Sequence, residues 1–190
     1  MPIEQVKEQA IGLWQSIAVE VRPSLAKNAD GSLKPFYLTR AFELWDNDEF
    51  NLTIINYADP FGKTALAKLF IHGRMLWQGA HDIAEGAQKV DFAANIDYQV
   101  TPLYAPFAFV LNQATKGFEE WKVNGTQSIF KKAFPPFGLA EGDVFKEFDL
   151  IYLSDGLMFW GARNVDGRGF GTEEDRPTNL QIPLRRADNF

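Results

Sequence analysis

In segments that read as β-strands, a carboxylate and two guanidiniums stand either on an exposed face that is simply charged or in the polar lining of a pocket enclosed by a curved sheet. In "GLWQSIAVEVRP", Glu20 and Arg22 share a face with Ser16 and Ala18, while Ile17, Val19 and Val21 occupy the other. Arg40, in "FYLTRAFELW", shares its face with Phe36, Leu38, Phe42 and Leu44, where an unpaired guanidinium would be costly. A cross-strand Glu20–Arg40 pair is the simplest way to bury both charges. Such a pair either fixes register and closes one end of a barrel, or marks a pocket in which the charges orient a carboxylate or polarise a carbonyl. Glu43, Tyr57 and His72 fall on strands expected to neighbour Arg40. A His, a carboxylate and a Tyr around an apolar cavity suit acid–base catalysis of an isomerisation or cyclisation, although a strand histidine can equally be a hydrogen-bonded structural residue. The candidate catalytic set is therefore Glu20, Arg40, Glu43, Tyr57 and His72. Candidate ligand contacts are Trp14, Arg22, Phe42, Trp45, Trp77, Tyr98 and Phe159.

Other chemistries are excluded by what the chain lacks. With no Cys and only His72 and His81, there is no thiol nucleophile, no disulfide and no thiolate or histidine-rich metal site. "GTEEDR" has no calcium-loop ligand periodicity and reads as a solvated turn. "NVDGRGFG" follows a strand without opening a helix, as a phosphate-binding loop would not, and "SDG" is a hairpin turn. Neither metal nor cofactor is expected. A net charge of −6, with no basic cluster longer than those in "PLRRA" and "FKKAF", excludes nucleic acid as a partner.

The elements that must position these side chains are mostly strands. Ile3, Val6 and Ala10 at helical spacing after Pro2 predict a short helix over 2–11, broken by Gly12. Alternation then begins at Trp14 and returns in "FYLTRAFELW", "EFNLTIINYAD", "LAKLFIHGRMLWQGAH" and "KVDFAANIDYQVTPL". Phe107, Val110, Leu111 and Ala114 predict a helical excursion around 104–118, within an insertion spanning 104–134. "EFDLIYLSDGLMFWGAR" restores a hairpin, and "NLQIPLRRA" is a last short strand. Barrel strands thus run roughly over 14–101 and 147–186. The expectation is a mainly β, single-domain chain over 1–190: a calycin-like antiparallel β-barrel, or a strongly curved half-barrel, of about eight strands.

Seventeen Phe, five Trp and five Tyr suit the walls of an apolar cavity as well as a thick core. The N-terminus carries charges where a secretory signal needs an apolar run, and no segment approaches ~18 apolar residues. A cytoplasmic protein without membrane insertion is expected. A homodimer stays open, as an interaction module whose apolar face pairs with another subunit.

Gly12-x-Trp14 resembles the lipocalin signature, in which a Trp closes the barrel floor and a late Arg, here Arg185 or Arg186, stacks on it. A longer resemblance runs through "WQSIAVEVRP", "YLTRAFELW", "YADP", "HGR" and "DRPTNLQIPLRR". These segments resemble the domain of the adenomatosis polyposis coli down-regulated proteins, the secreted Wnt inhibitors, most densely at the two ends of the span Trp14 to Arg186. Matching positions include Trp14, Ser16, Glu20, Arg22, Pro23, Leu38, Thr39, Arg40, Arg176, Pro177 and Thr178. Val19 stands where that family has a Cys, so this chain would be a cysteine-free, single-domain, bacterial-type relative. The resemblance implies a lipocalin-like barrel with an apolar cavity for a lipid, and it does not imply an enzyme. Binding of a small hydrophobic or lipid-like molecule in the barrel is the expected function. The alternative is a cofactor-independent isomerase or cyclase, pericyclase-like, acting on an apolar biosynthetic intermediate in the same cavity.

Overall fold

The computed structural model describes residues 2–187. Helix α1 (Ile3–Ala10) starts behind Pro2 and buries Val6 and Ala10. Strands β1 (Gly12–Ser16), β2 (Glu20–Lys27), β3 (Leu33–Leu44), β4 (Glu49–Tyr57), β5 (Ala65–Ala80) and β6 (Gln88–Pro102) follow. Helix α2 (Ala105–Ala114) and the two-residue β7 (Gln127–Ser128) precede β8 (Lys146–Ser154), β9 (Leu157–Trp160) and β10 (Leu184–Arg186).

All strand pairings are antiparallel, and the sheet closes on itself because β1 pairs with β10 on one side and with β3 on the other. β1 and β2 act as two halves of one broken strand, both laid along β3. The circuit therefore has eight positions, from β1/β2 through β3, β4, β5, β6, β8, β9 and β10, with β7 as an appendage of β6. This is the mainly β, strongly curved architecture that the alternation predicts. The ring is hydrogen-bonded shut only at the end holding β1. Towards the other end the seam between β2 and β8 is covered by chain from the 162–171 region. There Phe148 N–H donates to the Phe170 carbonyl (2.8 Å), and a Cβ on Gly167 would stand 2.4 Å from the Ser24 carbonyl oxygen.

The excursion is less helical than expected. Only Ala105–Ala114 is helix, and the chain beyond carries β7 and a short 3₁₀ turn at Pro135–Phe137. A second aromatic cluster holds it down: Phe118 and Trp121 (5.3 Å between ring centroids), with Phe134 against Phe137 (4.9 Å). Phe137 in turn stacks on Tyr98 of β6, so the excursion roofs the barrel.

Inside, Phe42, Phe50, Phe92 and Trp160 form an aromatic layer across the barrel, with Phe42 and Trp160 stacked at 4.3 Å. Below it lie Leu44, Met158, Leu184 and Trp14, capped by α1. Trp14 donates its indole N–H to Ala10 O (2.7 Å), and Arg186 stacks over its ring (4.4 Å). Of the two arginines open to that role, Arg186 fills it. The long strands β5 and β6 cross this layer with a bulge beside Gly73, whose Cβ would lie 1.9 Å from the Ala93 carbonyl oxygen. Two backbones meet there and neither can yield. Gly73→Ala is expected to destabilise the fold by at least about 2 kcal/mol, read as a lowered urea midpoint; an unchanged midpoint would show that the two strands separate more easily than this contact implies.

Candidate functional site

The half of the barrel above the aromatic layer is hollow. A cavity of about 730 Å³ is walled by apolar side chains, among them Leu38, Leu52, Ile54, Leu69, Ile71 and Tyr98, and roofed by Phe107, Pro136 and Phe137. Its polar groups are few. Arg40 and Asp149 stand near the aromatic layer, Arg22, Lys146 and Glu147 on the wall, and Arg163 beside Phe36, its guanidinium 5.3 Å from that ring.

β2 carries its charges inward. Glu20 is fully buried while Val21, on the opposite face, is more than half exposed (56%). Of the two faces of this strand, the charged one is therefore the interior one. Arg22 binds Glu20 Oε2 through Nε (3.1 Å) and Nη2 (2.8 Å), and Arg40 binds Oε1 through Nε (2.7 Å). Ser16 Oγ also donates to Glu20 Oε1 (3.0 Å) and accepts from Arg40 N (2.8 Å), which ties in β1. The expected Glu20–Arg40 pair is thus one side of a buried triad. Burial alone would raise the Glu20 pKa, but the guanidiniums of Arg40 and Arg22 outweigh it and hold the carboxyl down to about 2.

Arg40 is left under-used. Its Nε serves Glu20, and its guanidinium lies near the Phe42 and Trp160 rings (5.7 and 5.9 Å). Among the described residues neither terminal nitrogen donates to a protein acceptor, and Nη2 is buried in that state. Across from it, Asp149 spends Oδ1 on the N–H groups of Leu150 (2.7 Å) and Gly161 (2.8 Å), so Oδ2 is what the carboxyl offers the cavity it lines. Burial, reinforced by the Glu147 charge, pushes its pKa up to about 7, against the opposing pull of Arg40 and the two N–H groups. An acid that titrates near neutrality therefore faces a guanidinium with spare donors.

The remaining expected residues divide by strand face. Arg22, Phe42 and Tyr98 line the cavity, and Glu20 lies behind Arg22 and Arg40. Tyr57 reaches the rim, with its hydroxyl 3.3 Å from Thr39 Oγ1. Glu43, Trp45, His72, Trp77 and Phe159 do not line it. The alternation that turns Arg40 and Ile71 inward turns Glu43 and His72 outward: Glu43 accepts from Asn51 (3.2 Å), and His72 sits 3.6 Å from Glu49 with Trp45 edge-on. Phe159 points away from the buried Met158 and Trp160 and meets Tyr152. Trp77 donates to Asp48 (2.9 Å) near the α1 end, and Trp14 belongs to the floor. The proposed Glu43–Tyr57–His72 constellation is therefore not assembled. Asp149, Glu147 and Arg163 were not singled out from sequence, though "EFDLIYL" carries the signal: two acids alternate with Phe148 and Leu150 and share a face with Ile151.

On the outer side of β8, Arg176 clamps the chain that precedes β10. It bonds Asp91 Oδ1 (2.7 Å), the carbonyls of Val90 and Asp149, and Glu173, while Lys146 takes the other Asp91 oxygen (2.9 Å). Arg176 thus braces the back of the strand bearing Asp149. Among the described residues no group of three or more His, Asp or Glu converges as a metal site requires, and no helix is long and apolar enough to cross a membrane. No protein-family model matches the chain, and no curated protein sequence matches it.

Two titrations with opposite signs follow. Folding favours ionised Glu20, so that contribution, about 3 kcal/mol, is lost as pH falls from 4.5 to about 2. Folding favours protonated Asp149, so stability falls as pH rises from 3.8 through about 7. Asp149→Asn is expected to raise the melting temperature at pH 8 and leave it nearly unchanged at pH 4; equal effects at both would mean that Asp149 ionises freely. Glu20→Gln strands two guanidiniums and is expected to cost about 3–5 kcal/mol in chemical denaturation.

Proposed function

We propose that this protein binds a small hydrophobic or lipid-like molecule in the upper half of its barrel. The observation that carries this reading is the cavity: about 730 Å³, walled mainly by aliphatic and aromatic side chains, with its charges confined to a few positions. That volume lies in the range of small-molecule sites, and a few placed polar groups in an apolar wall are what orient a ligand there. The resemblance to the secreted Wnt inhibitor domain, with its implied lipid cavity, points the same way. A second reading, a cofactor-independent isomerase or cyclase, is favoured by one observation, the Asp149 carboxyl poised near pH 7 beside Arg40 in the cavity wall. In that case Asp149 and Arg40 would be the acid–base and electrophilic groups, in place of Glu43 and His72.

The experiment is native mass spectrometry of gently purified protein, followed by denaturing extraction and identification of released small molecules, repeated on Ile54→Trp. Ile54 lines the cavity directly across the β3–β4 ladder from Arg40, so an indole there fills the space above that guanidinium. A stoichiometric apolar or amphiphilic molecule in the parent protein, and its loss from a folded Ile54→Trp, is the expected result. Retention in the variant would move the site elsewhere. An empty parent protein that also fails to take up added apolar ligands would overturn the reading.

A further inference from the structure

We infer that the ligand of this cavity is an amphiphilic monocarboxylate, bound head-down, with its carboxylate on the terminal nitrogens of Arg40 beside Asp149 and its chain directed towards the rim. The inference rests on the binding reading above and adds the class of ligand. Three observations carry it.

The first is the spare hydrogen-bonding capacity of Arg40. A guanidinium has five N–H donors, and only the one on Nε meets a protein acceptor among the described residues. A buried cation in that state is costly unless something else accepts from it, and a carboxylate matches its fork.

The second is the charge count. Arg22, Arg40 and Arg163 are opposed by Glu20 and Glu147, which leaves one positive charge in the cavity wall before Asp149 is considered. Either an ionised Asp149 or a monoanionic ligand balances it, but both together would place one negative charge too many in an apolar enclosure. Lys146, which also borders the cavity, is balanced by Asp91, and Arg176 on the outer side of the strand by Asp91 and Glu173 together, so neither pair changes this count. Binding of a carboxylate therefore requires Asp149 to hold a proton, and the protonated Oδ2 can then donate to the headgroup.

The third is the distribution of polarity. Arg40 rests against the Phe42–Trp160 layer, while Leu52, Ile54, Leu69 and Phe107 extend the apolar wall up to the excursion. A carboxylate at the layer leaves its hydrocarbon chain along that wall.

Isothermal titration calorimetry of the full chain with dodecanoate and 1-dodecanol, at pH 6 and pH 8, tests this. Dodecanoate is expected to bind at least about tenfold more tightly than the alcohol at pH 6, and about tenfold less tightly at pH 8 than at pH 6, with proton uptake from the buffer. The alcohol should show no loss of that size. Arg40→Gln should abolish the preference for the acid. Asp149→Asn should retain the preference but flatten its pH dependence, and this variant decides the matter if Arg40→Gln does not fold. Equal affinity for acid and alcohol, or an acid affinity unchanged between the two pH values, would overturn the carboxylate inference and leave the apolar-cavity reading standing. Failure of both probes to bind would overturn the two together.

Discussion

Glu20 is removed from solvent altogether, and its two oxygens are divided between the guanidiniums of Arg22 and Arg40. A carboxylate so placed survives only if its partners stay where they are, because the loss of either leaves buried charge without a counter-charge. That requirement fixes more than the triad. Arg22 shares β2 with Glu20, Arg40 lies on β3, and Ser16 joins the same carboxylate from β1. The first strand breaks between Ser16 and Glu20, and the triad bridges the break. Charges at this point hold together what main-chain hydrogen bonds alone leave divided.

The two halves of the interior differ in how space is filled. Below Arg40, rings stack across the barrel above the packed floor that Trp14 and α1 close. Above it the residues are smaller or stand back against the wall, and the volume is open. Asp149 lies at the transition. Its environment penalises a charge through burial and through Glu147, and it offers only two N–H groups and a non-contacting guanidinium in return. The same low dielectric that makes the Glu20 pairings strong makes the Asp149 charge dispensable, so neighbouring carboxyls titrate on opposite sides of their ordinary range.

Strand number, helix placement and the Glu20–Arg40 pair were legible because each rests on local periodicity or on the cost of burying charge. Trp14 with a late arginine as a floor is expected only through the resemblance of Gly12-x-Trp14 to the lipocalin signature, which leaves Arg185 and Arg186 both open. The interior of the candidate site was only half legible. Phe42, Tyr98 and Arg22 are expected to face the ligand and do line the cavity, but Glu43, His72, Trp45 and Phe159 suit a site by residue type alone, and alternation turns them outward. Asp149 does not stand out for the converse reason: its alternation is readable, and so is the nearby Glu147, but its near-neutral titration depends first on burial, against the pull of Arg40 and Gly161 from other strands, which only the closed barrel supplies. The excursion was the least legible part, because after Ala114 it is organised by a remote aromatic cluster and not by a repeating pattern.

The ring of strands is hydrogen-bonded shut only around β1, whereas the upper seam between β2 and β8 is spanned by chain lying across it near Gly167 and Phe170. A barrel sealed all the way up has a girth set by its strand count and stagger. Here the upper half is closed by the packing of that crossing chain instead, so floor and rim are held by different interactions. The barrel is in this sense a cup laced by main-chain ladders at its base and by a packed collar at its mouth.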